Sequence, residues 1–308
     1  MNWSTNGQTP EFLAATRMVS LNDDVIAAIL LASPLDPGAR VLDVGCGSGE
    51  YAFRLGAHTR GVDYCGLDFD DAFIEFANRR TRGLVPYPYE QPNPANNYRF
   101  VQGDGTSLPF DEGSFDAVIS HTYLTALPQW EQALAEMIRV CKPGGVVSSI
   151  TNMTDNFYGA GSVSLFASPL PGEDAQLVGC ARSAAEKAAP SMDITAGITP
   201  YEAPRAFARS GLEGVFCIPL GHYLSLSDAR MDAAEARRYI DLLELVELRQ
   251  LDMIAGDAGA CTLLPEADQN RYRSLIDRRH AELIDSIDAN DEWEWFGNTS
   301  LFVCGTKP

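Results

Sequence analysis

An aspartate and three alternating glycines, Asp43, Gly45, Gly47 and Gly49 in VLDVGCGSGE, join an apolar run to the start of an amphipathic segment. A turn without Cβ atoms between a strand and a helix lets the backbone approach a ligand closely, as nucleotide sites require. The spacing narrows the choice. A dinucleotide turn reads GxGxxG, and here Glu50 stands where the last glycine would be. A glutamate in the first turn of a helix is expected to repel a pyrophosphate seated there. The Gly-Lys-Ser/Thr of a phosphate-binding P-loop is also absent. The residues point to a nucleoside without phosphates, and Asp43 to a ligand that carries positive charge.

With Asp68 closing the next strand, DVGCGSG resembles the acid-x-Gly-x-Gly-x-Gly signature of class I S-adenosylmethionine-dependent methyltransferases. The resemblance continues in order over about residues 38–153. YCGLDFDDAFIEFA is similar to the acidic-loop motif, and FVQGDGTSLPFDEGSFDAVIS to the adenine-binding and fourth-strand motifs. ALAEMIRVCKPGGVV is similar to the helix and turn before the fifth strand. The motif run resembles the broad ubiquinone/menaquinone-biosynthesis-like, small-molecule group, without a quinone-specific signature beyond residue 153.

The resemblance implies S-adenosyl-L-methionine as cofactor and a role for each matching position. Gly45, Cys46, Gly47 and Gly49 would pass beside the methionine moiety, with Asp43 near that end acting through water, by orienting the loop or by direct contact, or else serving as a buried structural acid. Asp68 would accept both ribose hydroxyls, and Phe69 would lie against the adenine. Asp104, with Gly105 and Thr106, would receive the adenine amino group, unless GDGT is a plain turn. Ser120 or His121 would present a carbonyl to the methionine ammonium. Arg17 would meet its carboxylate, or else form a surface ion pair. Cys46 reads as a small packed side chain rather than a reactive thiol.

Methyl transfer needs mainly proximity and alignment, with a base only where the acceptor must lose a proton early. His121 is the best-placed candidate base, unless its ring is merely packed or bonded; Tyr123 is a second catalytic candidate that lines the pocket or packs under the next helix. Tyr158, His222, Trp293 and Trp295 are candidates for the acceptor pocket. The plainer alternatives are an edge histidine for His222 and an aromatic pair burying the return of the chain for the tryptophans. The fourth strand ends in ISHTYL, without the Asn/Asp-Pro-Pro-aromatic or Pro-Cys of nucleic-acid methyltransferases. A net charge of −19, from 42 Asp plus Glu against 23 Lys plus Arg, likewise disfavours nucleic acid. The expected activity is therefore O- or C-methylation of a small molecule by in-line displacement. The alternative is a non-catalytic S-adenosylmethionine- or S-adenosylhomocysteine-binding protein that acts through partner association. A nicotinamide oxidoreductase fits the glycine spacing least.

These residues need a scaffold. Strands alternating with helical segments predict an α/β fold with a mostly parallel sheet, and the family resemblance implies that it is Rossmann-like, doubly wound and seven-stranded, with an antiparallel last strand. Residues 1–33 are expected to form an N-terminal helical cap. Residues 34–226 and 298–308 are expected to form the S-adenosylmethionine-binding domain, and 227–297 a helical insertion serving as packing layer, roof or homodimer interface. The Gly-, Ser- and Pro-rich stretch from Asn156 to Gln176 reads as a mobile cover, and KPGG as a turn ahead of the fifth strand. His58 and His280 read as ordinary helix residues. Seven scattered cysteines without a CxxC pair give no expectation of a metal site or disulfide framework. With no signal-peptide pattern and no membrane-length apolar run, the cytoplasm is the expected location.

Overall fold

A computed structural model describes residues 4, 8–89, 91–152, 164–166, 170, 172–188, 196–225, 230–289 and 295–308. Two capped helices open the fold. Thr9 caps α1 (Pro10–Ser20) through the Phe12 N–H, and Asn22 caps α2 (Asp23–Ala32) through the Val25 N–H. The chain then alternates through β1 (Arg40–Val44), α3 (Glu50–Ala57), β2 (Asp63–Asp68), α4 (Asp71–Thr81), β3 (Asn97–Gln102) and β4 (Phe115–His121). It continues as α5 (Tyr123–Ala126), α6 (Trp130–Val140), β5 (Cys141–Asn152), α7 (Gly172–Ala188) and α8 (Ala203–Arg209). The last elements are β6 (Glu213–Ser225), α9 (Ala233–Gly256), α10 (Ala258–Cys261), α11 (Glu266–Ala289) and β7 (Trp295–Thr306).

The seven strands form one sheet in the order β3-β2-β1-β4-β5-β7-β6. The pairs among β1 to β5 are parallel, as the alternation predicts, and β7 runs antiparallel to both β5 and β6, as the resemblance implies. Strand order reverses between β1 and β4, the place where open α/β sheets bind ligands outside their carboxyl ends.

Alternation along β1 sorts the core. Leu42 and Val44 pack on one face with Leu124, Leu134, Met137 and Phe207. Val41 faces the other way, into a cluster with Ile26, Tyr51, Phe53 and Phe100. A third cluster joins α1, α7, α9, α10 and α11 through Met18, Leu177, Tyr239, Leu243, Ile254 and Leu275. Its helices bury apolar stripes on one another, so α1 and the helices between β6 and β7 share a core of their own. No helix among the described residues is long and apolar enough to cross a membrane.

Two expectations need correction. Gly172–Gln176 is not loose cover but the first turns of α7, whose Leu177, Val178, Ala181 and Ala184 are buried. Its many small residues hid the stripe. KPGG does not precede β5 either. Cys141 already pairs with Phe115, and the register shift between Phe115 and Ala117 absorbs the glycines, with Gly144 at φ 76°. This is a bulge inside the strand.

Candidate functional site

Parallel pairing brings the candidate residues to one edge. Asp43 is level with Gly66 of β2 and Ile119 of β4, while Asp68 is level with Gln102 of β3. The ends of β1, β2, β3 and β4 therefore lie side by side. Gly45, Gly47 and Gly49 all have positive φ, at 69°, 51° and 82°, which side chains rarely tolerate. A Cβ on Gly45 would lie 2.2 Å from the Tyr123 ring, and one on Gly47 2.6 Å from Leu13 Cδ2.

The loop amides are already engaged. The N–H groups of Gly45 and Cys46 donate to the Leu67 carbonyl, and that of Gly49 donates to the Cys46 carbonyl. Gly47 N–H donates to Asp68 Oδ2 at 2.8 Å. The glycines thus serve by bare surface and unusual φ more than by free donors.

Asp43 lies between Leu42 and Val44, so its carboxyl points to the opposite sheet face, beneath the start of α3. It is 1% exposed, and neither oxygen has a hydrogen-bond partner among the described residues. Burial, reinforced by the Asp68 charge and only slightly offset by the nearby Ala52 amide, which falls short of hydrogen-bond geometry, pushes its carboxyl up to about 8. A buried carboxyl left this way fits a cationic ligand group, because a positive charge beside it would restore the ionised form.

Asp68 holds the turn together. Besides Gly47, it accepts the Asp70 N–H on Oδ1, and burial raises its carboxyl to about 6. Asp70, not Asp68, caps α4 through Ala72 N–H and also accepts from Ser4. Each Asp68 oxygen keeps a lone pair for a hydroxyl. Phe69 beside it is 54% exposed, an aromatic face open at the strand edge. Asp104 closes its own turn, Oδ1 accepting both the N–H and hydroxyl of Thr106, which leaves Oδ2 outward.

At the end of β4, Ser120 Oγ donates to Ser149 Oγ across the sheet. His121 continues the face of Ile119, the same face as Asp43. It is 8% exposed, and its ring meets Tyr51 of α3 with centroids 6.1 Å apart. Thr122 follows in the left-handed region at φ 56°, a strained conformation that turns the chain sharply after the strand. Its hydroxyl donates to the His121 carbonyl and receives Arg17 Nη2 at 3.4 Å, which brings α1 over the strand ends. The Tyr123 ring bridges Gly45 and Gly105, and burial, with the Asp104 and Asp68 charges behind it, raises its phenol well beyond the ordinary range.

Glu50 departs from expectation. It is 2% exposed and pairs with Arg80 of α4, whose guanidinium also lies 4.3 Å from the Phe53 ring centre. Turned inward and neutralised, it would not repel a pyrophosphate, so the case against a dinucleotide rests on glycine spacing and on Asp43. Cys46 is buried with its thiol raised well above normal, so it packs rather than reacts.

Leu13, Ser48 and Tyr51 were not among the candidates read from sequence, yet they surround the loop. Leu13 covers Gly47, while Ser48 Oγ and Tyr51 Oη are buried without partners among the described residues. Only the spacing of Tyr51 on α3 could have signalled its approach to Asp43. Tyr158 and Trp293 lie outside the described residues. Trp295 opens β7, and His222 of β6 pairs with Asn298; their side chains lie outside as well.

Residues 42–149 match the family described as "Methyltransferase domain". Over 133 residues the chain is 34% identical to the phthiotriol/phenolphthiotriol dimycocerosates methyltransferase of Mycobacterium tuberculosis, covering 43% of this chain and 45% of that protein. It is 35% identical over 114 residues to the demethylmenaquinone methyltransferase of Staphylococcus haemolyticus, covering 36% of this chain and 42% of that one. A fatty-acid O-methyltransferase of Mycolicibacterium smegmatis is 38% identical over 110 residues, 35% of each chain. The matched stretch spans less than half of each relative. A chain in the complex between the Haloferax volcanii Trm112 methyltransferase activator and a methyltransferase aligns with a TM-score of 0.50 at 20% identity. It covers 100% of this chain and 96% of that one, a likeness of fold.

Proposed function

We infer that this chain, whose residues 42–149 belong to the methyltransferase domain family, transfers a methyl group from S-adenosyl-L-methionine to a small, largely apolar acceptor. The observation that carries the reading is the buried Asp43 carboxyl without a partner behind a side-chain-free turn at the reversal of strand order. When bound, S-adenosylmethionine supplies a methyl on a sulfonium, which makes it a good leaving group for in-line displacement.

The chain's residues then divide the work. Gly45, Gly47 and Gly49 admit the methionine part, with Asp43 behind them offsetting positive charge. Asp68 takes the ribose hydroxyls with its remaining lone pairs, and Phe69, Asp104, Gly105 and Thr106 frame the adenine. The backbone carbonyl of Ser120 or His121 meets the ammonium, and Arg17 the carboxylate. Tyr123 holds the Gly45 and Gly105 turns at a fixed separation. His121 accepts a proton from an acceptor hydroxyl or activated carbon.

The acceptor class follows from charge, from the relatives and from the helices. A net −19 chain repels polyanions. Phthiotriol, demethylmenaquinone and fatty acid, named for the relatives, are all apolar molecules that offer oxygen or ring carbon. The helical layer of α1, α7 and α9–α11 supplies the roof, and with it the 1–33 cap and the 227–297 insertion act as specificity elements. Incubation with methyl-labelled S-adenosylmethionine and a panel of phenols, quinols and fatty acids tests this reading. Label in an acceptor supports it, and binding without transfer to any of them counts against it.

A further inference from the structure

Away from the glycine loop, three ligating side chains meet between α9 and α11. Asp241 and Glu244 are three residues apart on α9, so both carboxylates lie on one helix face. His280 comes from the facing stripe of α11, among Tyr272, Leu275, Ile276 and Leu283. Its Nε2 lies 2.7 Å from Asp241 Oδ1 and 3.7 Å from Glu244 Oε2, and the three ligand atoms fall within 4.8 Å of one another. The other Asp241 oxygen accepts from the Tyr87 hydroxyl. The three side chains are 23%, 23% and 28% exposed, so an ion can reach them from solvent.

Charge here is unbalanced. Asp277 of α11 places a third carboxylate in the field of Glu244, against a single imidazole. Arg237 and Arg238 act on the Tyr87 side of the cluster, and Arg238 is already paired with Glu235. A histidine satisfied by one carboxylate has no need of the second that converges on the same nitrogen. A dication answers both facts.

We propose that Asp241, Glu244 and His280 form a binding site for a divalent transition-metal ion, with zinc as the leading occupant, which clamps α9 to α11. In a tetrahedral zinc site with ligands about 2.0–2.1 Å from the metal, donor atoms sit roughly 3.3 Å apart. The 2.7 and 3.7 Å separations bracket that edge, so small side-chain rotations seat the ion. One imidazole nitrogen with two carboxylate oxygens suits a borderline ion better than magnesium or calcium, which favour oxygen alone. Tyr87 orients the Asp241 carboxylate from outside and ties the segment between α4 and β3 to the helix pair. The site departs from the sequence expectation of no metal, because His280 lies 39 residues from Asp241 and joins the two α9 carboxylates only when α9 and α11 pack.

The test is calorimetric titration of chelator-treated full-length protein with zinc chloride, followed by cobalt(II) and visible absorption. The expected result is saturable binding of one ion per chain and a cobalt spectrum of a low-coordinate nitrogen–oxygen site. His280→Gln and Glu244→Gln should each lose that binding with circular dichroism unchanged, and Tyr87→Phe should weaken it about tenfold. Absence of saturable binding overturns the proposal. So does a cobalt–thiolate band, or binding retained in both variants, since either would assign the ion to cysteines. The zinc measurement needs no methyl donor, so its failure and that of the methyltransferase reading are separate.

Discussion

Asp68 Oδ2 accepts the Gly47 N–H at 2.8 Å, so the residue proposed to hold a ribose also pins the middle of the glycine turn. The two tasks use different lone pairs of one carboxylate. Asp68→Ala should therefore weaken S-adenosylmethionine binding by about tenfold or more, since hydrogen bonds to a charged group contribute about 1.5–3 kcal/mol. Asp68→Asn keeps one acceptor oxygen and should fall between. Calorimetric affinities check the order, and a folded Asp68→Ala protein with parental affinity would remove the ribose role.

Asp43 makes stability depend on pH. Its carboxyl is raised to about 8 in the folded chain and that of Asp68 to about 6, against roughly 3.9 when unfolded. Between those values the native state holds protons that the unfolded state releases, so stability falls as pH rises. Both groups act from about pH 4 to 6, and Asp43 alone from about 6 to 8, at up to about 1.4 kcal/mol per pH unit for each group. Asp43→Asn should flatten the upper part of a denaturant-midpoint profile measured without ligand. Direct contact of Asp43 with the cationic donor also requires proton release on binding near neutral pH. That release is read as a binding heat that varies with buffer, and it should vanish in Asp43→Asn.

His121 and Asp43 share a sheet face, but their roles separate kinetically. His121→Gln should lower methyl transfer by roughly a hundredfold or more if the imidazole takes the acceptor proton. Donor affinity should stay close to parental, because the contact proposed for His121 with the donor uses its backbone carbonyl. A variant as fast as the parent would leave His121 as packing against Tyr51.

The Glu50–Arg80 pair, both side chains within 2% exposure, is held inside the protein. Breaking it with Arg80→Met should cost about 3–5 kcal/mol by stranding a buried carboxylate. The double variant Glu50→Gln/Arg80→Met should recover part of that loss. Urea unfolding measures both, and equal midpoints for the two would show that Glu50 is not stranded.

The same pair shows where sequence reasoning stops. Glu50 follows the last glycine, and a linear reading sees its charge without seeing Arg80 thirty residues on. The sheet was legible because period-two runs and helical stripes alternate strongly from Arg40 to Val147, and DVGCGSG and Asp68 mark the carboxyl edge. Side-chain direction was legible only after pairing, when Asp43, His121 and Tyr51 came to one face. The helices beyond β5 obey another logic. Their stripes face each other rather than the sheet, so α7, rich in Ala and Gly, reads as loop until α9 and α11 are present to bury it. His280 looked ordinary for the same reason.

The most direct measurement is calorimetric titration of the purified protein with S-adenosylmethionine, with S-adenosylhomocysteine and with a nicotinamide dinucleotide. The structure predicts micromolar binding of the first two, lost or much weakened in Asp68→Ala, and none of the third. Binding of the dinucleotide alone, or of none of the three, would contradict the assignment of this glycine turn to a methyl donor.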